Sequence, residues 1–453
     1  MQKIRNSTLS SEVNFDKDEL FFSITKRDST IINGNDTFVR ISEFSRDELI
    51  GQYHNIVRHP DMPKVVFKVF WDYLKANRPI AAYVKNRTKN KGYYWVFAVV
   101  FPFKDSYISI RIKPNIDVFD SIKEIYSKLL EAQTKLDMDE SQELFLKLLS
   151  DTGYSDYDHF INDVLVKELL KRKELLFKKQ DKIDFCQNDE LKLKIHSLYC
   201  SSEKLMRQYE TWFEKTDRFM EIKSTFEEKA FVLSSLAKDI IFLSINASIA
   251  SYKVDVYGET FGVLASDIRN NAKENDIIIN NIDDLYRSLS TSLNEIVFLV
   301  SSISLQIETV TYFIKELFEN NNKELSSNIF FLFELVSSYN EKLTELTMSM
   351  DKSIKKSLFH LSELEQQIMY LGYVQIYGNI ESARFNDESS GFKEIFLQLK
   401  ALSFEISKET SIMKNMGEEF LRDNDRLVKE SKDKERILDK LKEEISGMEY
   451  IEG

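Results

Sequence analysis

The chain has 453 residues, of which 43% are hydrophobic and 30% charged; that is enough apolar material for packed cores and excludes a disordered chain. Lys and Arg number 62 against 74 Asp and Glu, a net charge of −12, so no basic field is offered to a phosphate backbone and nucleic acid is excluded as a partner class. At roughly 100–200 residues per domain, the length allows two or three domains. The five prolines are Pro60, Pro63, Pro79, Pro102 and Pro114, and none follows. Because proline inside a helix costs about 3 kcal/mol, this crowding predicts a turn-containing head of about 115 residues and then a long helical body.

The opening segment, Met1 to Leu20, contains no apolar run, so no signal peptide is expected. The longest uncharged apolar stretches, Ile240–Tyr252 and Ile296–Ile307, fall short of the ~18–20 residues that cross a bilayer. Both carry Ser or Asn at helical spacing and read as buried helix faces, giving no membrane span and a cytoplasmic location. Cys186 and Cys200 form no CxxC, and the five histidines show no ligand spacing. Neither a disulfide nor a metal site is expected.

In the head, Phe21–Thr25 and Thr30–Asn33 read as a strand pair around a turn. Asn35 or Asp36 caps a short helix through Phe38, Val39 and Ile41. Ser45 and Glu48 have capping-box spacing, with Gly51 as a stop. Pro63 suits the first turn of a longer helix, with Asp61 nearby as its cap, and Val66, Phe67, Phe70, Trp71 and Leu74 give it an apolar face. Three strand-like runs follow Pro79: IAAYVKN, GYYWVFAVVFPF and SYISIRI. The fold class predicted for residues 21–114, after a tail at 1–20, is an α+β module with one antiparallel sheet and short helices.

Four segments, NDTFVRIS, ELIGQYHNIVRHPDMP, VKNRTKN and YYWV, resemble the flavin-binding PAS domain of bacterial aerotaxis receptors. The resemblance implies a PAS fold and a bound FAD, with Asn35, Arg58, His59 and Asp61 in the flavin pocket. Arg58 then offers a donor fork to a pyrophosphate or an acidic neighbour, and Trp71 or Trp95 supplies an aromatic wall. Against the pocket roles stand plainer ones: a helix cap for Asp61, a surface ion pair for Arg58, core packing for the tryptophans. Where the family has a Trp-small-Gly segment this chain has Ile80, Ala81 and Ala82.

Residues 115–200 read as a helical connector with a turn at Gly153. Beyond it, Leu233, Leu236, Ile240, Leu243, Ala247, Ala250 and Val254 step by three and four, as do Phe261, Leu264 and Ile268. The stripe resumes at Ile278, Ile282, Leu285, Leu289, Ile296, Leu299, Ile303, Val310, Phe313 and Leu317. Polar residues Asn271, Asn275, Ser292 and Gln306 interrupt this seam. Such heptads predict long antiparallel coiled-coil helices, turning near Gly258 in VDVYGET.

The segment Ile240–Glu274 resembles the signalling tip of methyl-accepting chemotaxis proteins, in degenerate form. Asn246, Ala247, Ile249, Gly258, Phe261, Val263, Ala265, Asp267 and Arg269 fall on its spacing, whereas the family's Glu is Ala250 and its tip Arg is Lys253. Residues Ile368–Ala401 echo the segment: aligning Ile380 with Ile249 puts Phe392 on Phe261, with Glu381 and Arg384 at the two charged positions. Asn320–Asn322 lies midway as a turn. Two hairpins, 201–320 with its tip near 255–260 and 321–450 with its tip near 385–391, are therefore expected to form a single-chain four-helix bundle. It would mimic a receptor dimer as a monomeric pseudo-dimer; failing that, the chain is a homodimer.

No GxxxxGK[ST], HExxH or GxSxG motif occurs, and no enzyme is expected. The resemblances imply a chemotaxis transducer that senses redox state or a small ligand and acts on a chemotaxis histidine kinase and coupling protein, or on other chemoreceptors. The alternative is a non-enzymatic accessory protein with a ligand-free docking module.

Overall fold

The computed structural model describes residues 11–177, 190–213, 215–253, 258–320, 323–385 and 391–449. The turns expected at 254–257, at Asn321–Asn322 and at 386–390, together with Cys186, lie outside them. The head holds five strands, β1 (Phe21–Lys26), β2 (Ile31–Gly34), β3 (Ile80–Arg87), β4 (Tyr93–Phe103) and β5 (Ser106–Ile112). They form one antiparallel sheet in the order β2-β1-β5-β4-β3. Between β2 and β3 run α1 (Asp36–Ser42), α2 (Arg46–Leu49), a 3-10 turn (His54–Val57) and α3 (Lys64–Lys75).

The expected caps form in two of three places. Asn35 accepts from the Phe38 amide at the start of α1, and Ser45 and Glu48 close a full capping box on α2. Asp61 does not cap α3: the helix begins after Pro63 with no side-chain cap, and the Asp61 carboxylate instead accepts from Lys85 Nζ at 3.0 Å.

Four connector helices follow: α4 (Val118–Ala132), α5 (Met138–Ser150), α6 (Tyr157–Phe177) and α7 (Glu190–Phe213). Gly153 takes the turn after α5 at φ +98°, a conformation that favours glycine. α4 and α6 cover β3, the open edge of the sheet. The Tyr126 hydroxyl donates to the Tyr83 carbonyl and the Tyr157 hydroxyl to that of Ala81, both at 3.0 Å. These bonds satisfy edge carbonyls that otherwise invite another strand. From α6, the fully buried Glu168 accepts from the Tyr83 hydroxyl at 2.7 Å and from the Asn115 amide at 2.8 Å.

The body is four helices, α8 (Thr216–Ser251), α9 (Gly258–Asn320), α10 (Lys323–Phe385) and α11 (Phe392–Glu449). α9 and α10 each have 63 residues, about 95 Å at 1.5 Å per residue. The chain divides into two compact units, and the cut does not fall at the end of the head. One unit takes residues up to 213 together with 297–340 and 435–453; the other takes 214–296 and 341–434.

Within the first unit, Phe22 of β1 meets Phe313 of α9 edge-on at 5.0 Å and Phe101 of β4 meets Tyr339 of α10 at 5.6 Å. Asn33 donates to Asn328 at 3.0 Å. Arg172 of α6, 1% exposed, pairs with Glu308 of α9 at 2.8 Å and donates to the backbone carbonyls of Lys17 and Asp18.

Within the second unit four helical segments share one seam. Phe226 stacks on Tyr286, whose hydroxyl accepts from Ser357, and Asn271 donates to Gln367. Gly378 lies so close to the Phe396 ring that a β-carbon there would collide with it. The expected stripe is buried at Leu233, Ile240, Leu243, Ile282, Leu289 and Ile296, and at four places the next residue, Ala237, Ile279, Tyr286 or Leu293, is buried in place of the expected Leu236, Ile278, Leu285 or Ser292. A helix turns every 3.6 residues, so the residue beside a position of a strict 3.5-residue count can face the core in its place. Asn271, Asn275 and Gln306 are buried as expected.

Two helical stretches, Glu221–Ser251 and Gly258–Leu317, are long and apolar enough to cross a membrane by length and composition. That exceeds the expectation from the shorter apolar runs. The most apolar window of the second is 83% buried in the protein, as in a core helix, and that of the first 39%.

Candidate ligand cavity of the head and tips of the body

Side chains alternate between the faces of a strand. The inner face of the sheet therefore presents Ser23 and Thr25 of β1, Val84 and Asn86 of β3, Ala98 and Val100 of β4, and Tyr107, Ser109 and Arg111 of β5. With Phe67, Phe70, Trp71 and Leu74 of α3, and with Ser29, His54, Asn55 and Arg58, these residues enclose a cavity of about 240 Å³.

Arg111 sets its electrostatics. It is 3% exposed and donates from Nη2 to Ser23 Oγ at 2.6 Å. The same nitrogen lies 2.6 Å from His54 Nε2. Its guanidinium stands 5.1 Å from the centre of the Phe38 ring, and Nη1 has no hydrogen-bond partner among the described residues. Burial lowers its pKa to about 10. Burial, and then the Arg111 charge, lower that of His54 to about 3. His54 is thus neutral, and since Arg111 can only donate, Nε2 is the acceptor and the proton sits on Nδ1. The buried Ser109 hydroxyl has no partner among the described residues. No carboxylate lines the cavity.

Of the six residues expected at the pocket, the structure brings Arg58 and Trp71 to it. Arg58 is half-buried, stacks over the Phe67 ring at 4.1 Å, and is lowered in pKa by burial. Trp71 meets Tyr107 edge-on at 5.9 Å. Asn35 lies elsewhere and its amide is fully engaged. Oδ1 accepts from the Phe22 and Phe38 amides at 2.9 and 3.2 Å, and Nδ2 donates to the Leu20 carbonyl at 2.7 Å. It ties β1 to α1. His59 accepts from the Asp61 amide at 3.1 Å and borders a shallow groove with Tyr53, Pro60 and Arg87. Burial, then Lys85, lower its pKa. Trp95 points to the opposite face of the sheet, against Phe119 and Tyr126 of α4.

Arg111, His54, Asn86 and Ser109 were not singled out by their residues. The available signal was SYISIRI, where Tyr107, Ser109 and Arg111 alternate with Ile108, Ile110 and Ile112, a polar face within a strand that is buried from Tyr107 onward.

At the tips, Phe261 and Phe392 are 2% and 1% exposed and stack at 4.0 Å. Residues aligned by the internal echo have like surroundings. Ile249 and Ile380 are exposed, Ala250 and Glu381 are buried, and Lys253 and Arg384 are exposed. Arg384 pairs with Glu381 at 2.8 Å. Asn246, Val263 and Arg269 are exposed, and Arg269 donates to Ser248 at 3.2 Å.

Residues 31–109 match the PAS fold family. Over 122 residues the chain is 39% identical to the aerotaxis receptor of Escherichia coli (strain K12); the alignment covers 26% of this chain and 24% of the receptor, so the chain spans about a quarter of the length of that curated relative. Among solved structures it is similar to the LOV domain of the Erythrobacter litoralis EL346 blue-light activated histidine kinase. That match has 14% identity and a TM-score of 0.19, over 20% of this chain and 94% of that one. It is also similar to a Rhodobacter sphaeroides LOV protein, with 11% identity and a TM-score of 0.21, over 30% and 86%. The head of this chain is a PAS domain of the aerotaxis-receptor type, and long helices follow it.

Proposed function

We propose that this chain is a cytoplasmic, non-enzymatic taxis transducer whose PAS cavity reads redox state through bound flavin and whose helices carry the result to a chemotaxis histidine kinase and its coupling protein. One observation carries the reading. β1 has Ser23 in the cavity, bonded to Arg111, and the adjacent Phe22 on the other face, against Phe313 of α9. A change of charge or hydrogen bonding inside the cavity therefore acts on a strand whose outer side chain already touches a body helix. α9 also carries the tip residue Phe261.

The cavity chemistry suits a flavin ring. Its volume of about 240 Å³ lies below the roughly 300–1,000 Å³ of pockets that enclose a whole drug-sized ligand, so it suits one planar ring system with the rest of a dinucleotide outside. Phe67, Phe70 and Trp71 supply an apolar wall, while Arg111, Ser109 and Asn86 supply polar contacts. Bound flavin supplies an electron acceptor whose charge and hydrogen bonding change with redox state. We place Arg58 at the cavity mouth, where it meets an anionic ligand tail.

Purified full-length chain incubated with FAD and gel-filtered tests this directly. The reading predicts a yellow protein that retains flavin absorbance. A colourless protein that resists reconstitution removes the redox-sensing claim.

The departures at the tip favour a second reading, an accessory protein without kinase control: Ala250 and Lys253 stand where the resembled family has Glu and Arg. Pull-down of the kinase and coupling protein separates the two. Capture supports the transducer, and no capture even by Ala250→Glu/Lys253→Arg supports the accessory role.

A further inference from the structure

An ionised side chain buried without a counter-charge is costly, and proteins pair such groups or neutralise them. Arg111 is 3% exposed, and among the described residues its partners are a serine hydroxyl, a neutral imidazole and an aromatic face. The other charged residue of the lining is also an arginine, Arg58. In a chain of net charge −12, this one cavity is electropositive. Arg111 Nη1 and the Ser109 hydroxyl, both on β5 and both lining the cavity, have no partner among the described residues. A buried guanidinium with an open donor fits a group that takes its acceptor from a ligand.

We propose that Arg111 makes the cavity selective for a planar aromatic ligand that brings negative charge to its inner end, with Ser23 and His54 holding the guanidinium in position and Ser109 adding a second donor. This rests on the reading of the cavity as a ligand site, but it is narrower: it concerns the charge of the ligand, whatever its identity. Two sources share the chemistry, a flavin ring made anionic by reduction and a planar aromatic carboxylate.

The test uses both, on the full chain. The first arm titrates 2-naphthoate against its neutral isostere 2-naphthamide. The carboxylate is expected to bind at least tenfold more tightly, with the preference abolished in Arg111→Gln and largely kept in Arg111→Lys. The second arm titrates FAD, oxidised and then chemically reduced without oxygen. The reduced form is expected to be favoured at least tenfold in the parent chain and not in Arg111→Gln.

A charge preference that is absent from the parent chain or unchanged in Arg111→Gln overturns the proposal. If naphthoate binds in an Arg111-dependent way but FAD does not bind, the flavin reading fails and this one stands. If FAD binds without regard to Arg111, the reverse holds.

Discussion

The two faces of the head's sheet are built from the same strands and have opposite chemistry. On the inner face, β1 and β5 place Ser23, Thr25, Ser109 and Arg111 around a cavity. On the outer face, the intervening residues of β1, β3 and β4 place Phe22, Tyr83 and Phe101 against helices. The inner face keeps buried polar groups unsatisfied, at a cost in stability. The outer face packs aromatic rings on helices and bonds its polar groups, Tyr83 and Glu168 among them, to one another. Stability therefore resides outside and ligand chemistry inside, and because strand side chains alternate, neighbouring residues serve different purposes.

Substitutions on the outer face should consequently cost more than those inside. Phe22→Ala removes a fully buried ring and is expected to destabilise the chain by about 3–5 kcal/mol, as such deletions do, read as a lower urea midpoint. If it costs less than Arg111→Met, the division between faces is wrong.

Asn35 joins the two faces through β1. Asn35→Ala strands the Phe22 and Phe38 amides and the Leu20 carbonyl, for an expected loss of about 1–3 kcal/mol. Flavin retention should fall only as far as stability does, since the side chain does not reach the cavity. A selective loss of flavin would put Asn35 back in the pocket.

Tyr83→Phe deletes one hydrogen bond to Glu168 while keeping the ring on Phe97 and Phe119. About 0.5–1.5 kcal/mol is expected, measured by thermal melting.

The smallest effect is a pH slope. Burial raises the Glu168 pKa to about 7, against the hydrogen bonds that favour its charge. A carboxyl whose pKa is raised on folding contributes stability below its unfolded value, and the contribution disappears as pH climbs to about 7. The parent chain should therefore lose stability relative to Glu168→Gln between about pH 4.5 and pH 7. Parallel profiles would mean that Glu168 is ionised in the fold.

Much of the head was legible in the sequence because its signals are local. Period-two runs gave the strands, and Asn35, Ser45 and Glu48 gave the caps. The cavity was half legible. Arg58 belongs to a recognisable segment and Trp71 to the apolar face of α3, but Arg111 lies in SYISIRI, where only the strand register, pairing Arg111 with Phe21 and Ala98, decides which face it joins. Trp95 fell on the other face for the same reason: one step along β4 reverses a side chain. In the body, helix length and most of the seam were legible, whereas at Leu236, Ile278, Leu285 and Ser292 the next residue is the buried one. That residues 297–340 belong with the head depends on contacts such as Phe22 with Phe313, which join elements almost three hundred residues apart and leave no local mark.

The central claim is that β1 links the cavity to α9, and amide hydrogen exchange of the Ile303–Leu317 segment with and without saturating FAD tests it most directly. The account predicts that FAD changes exchange in this segment of the parent chain and leaves it unchanged in Phe22→Ala that still binds flavin. Unaltered exchange in the parent chain at full FAD occupancy would contradict it.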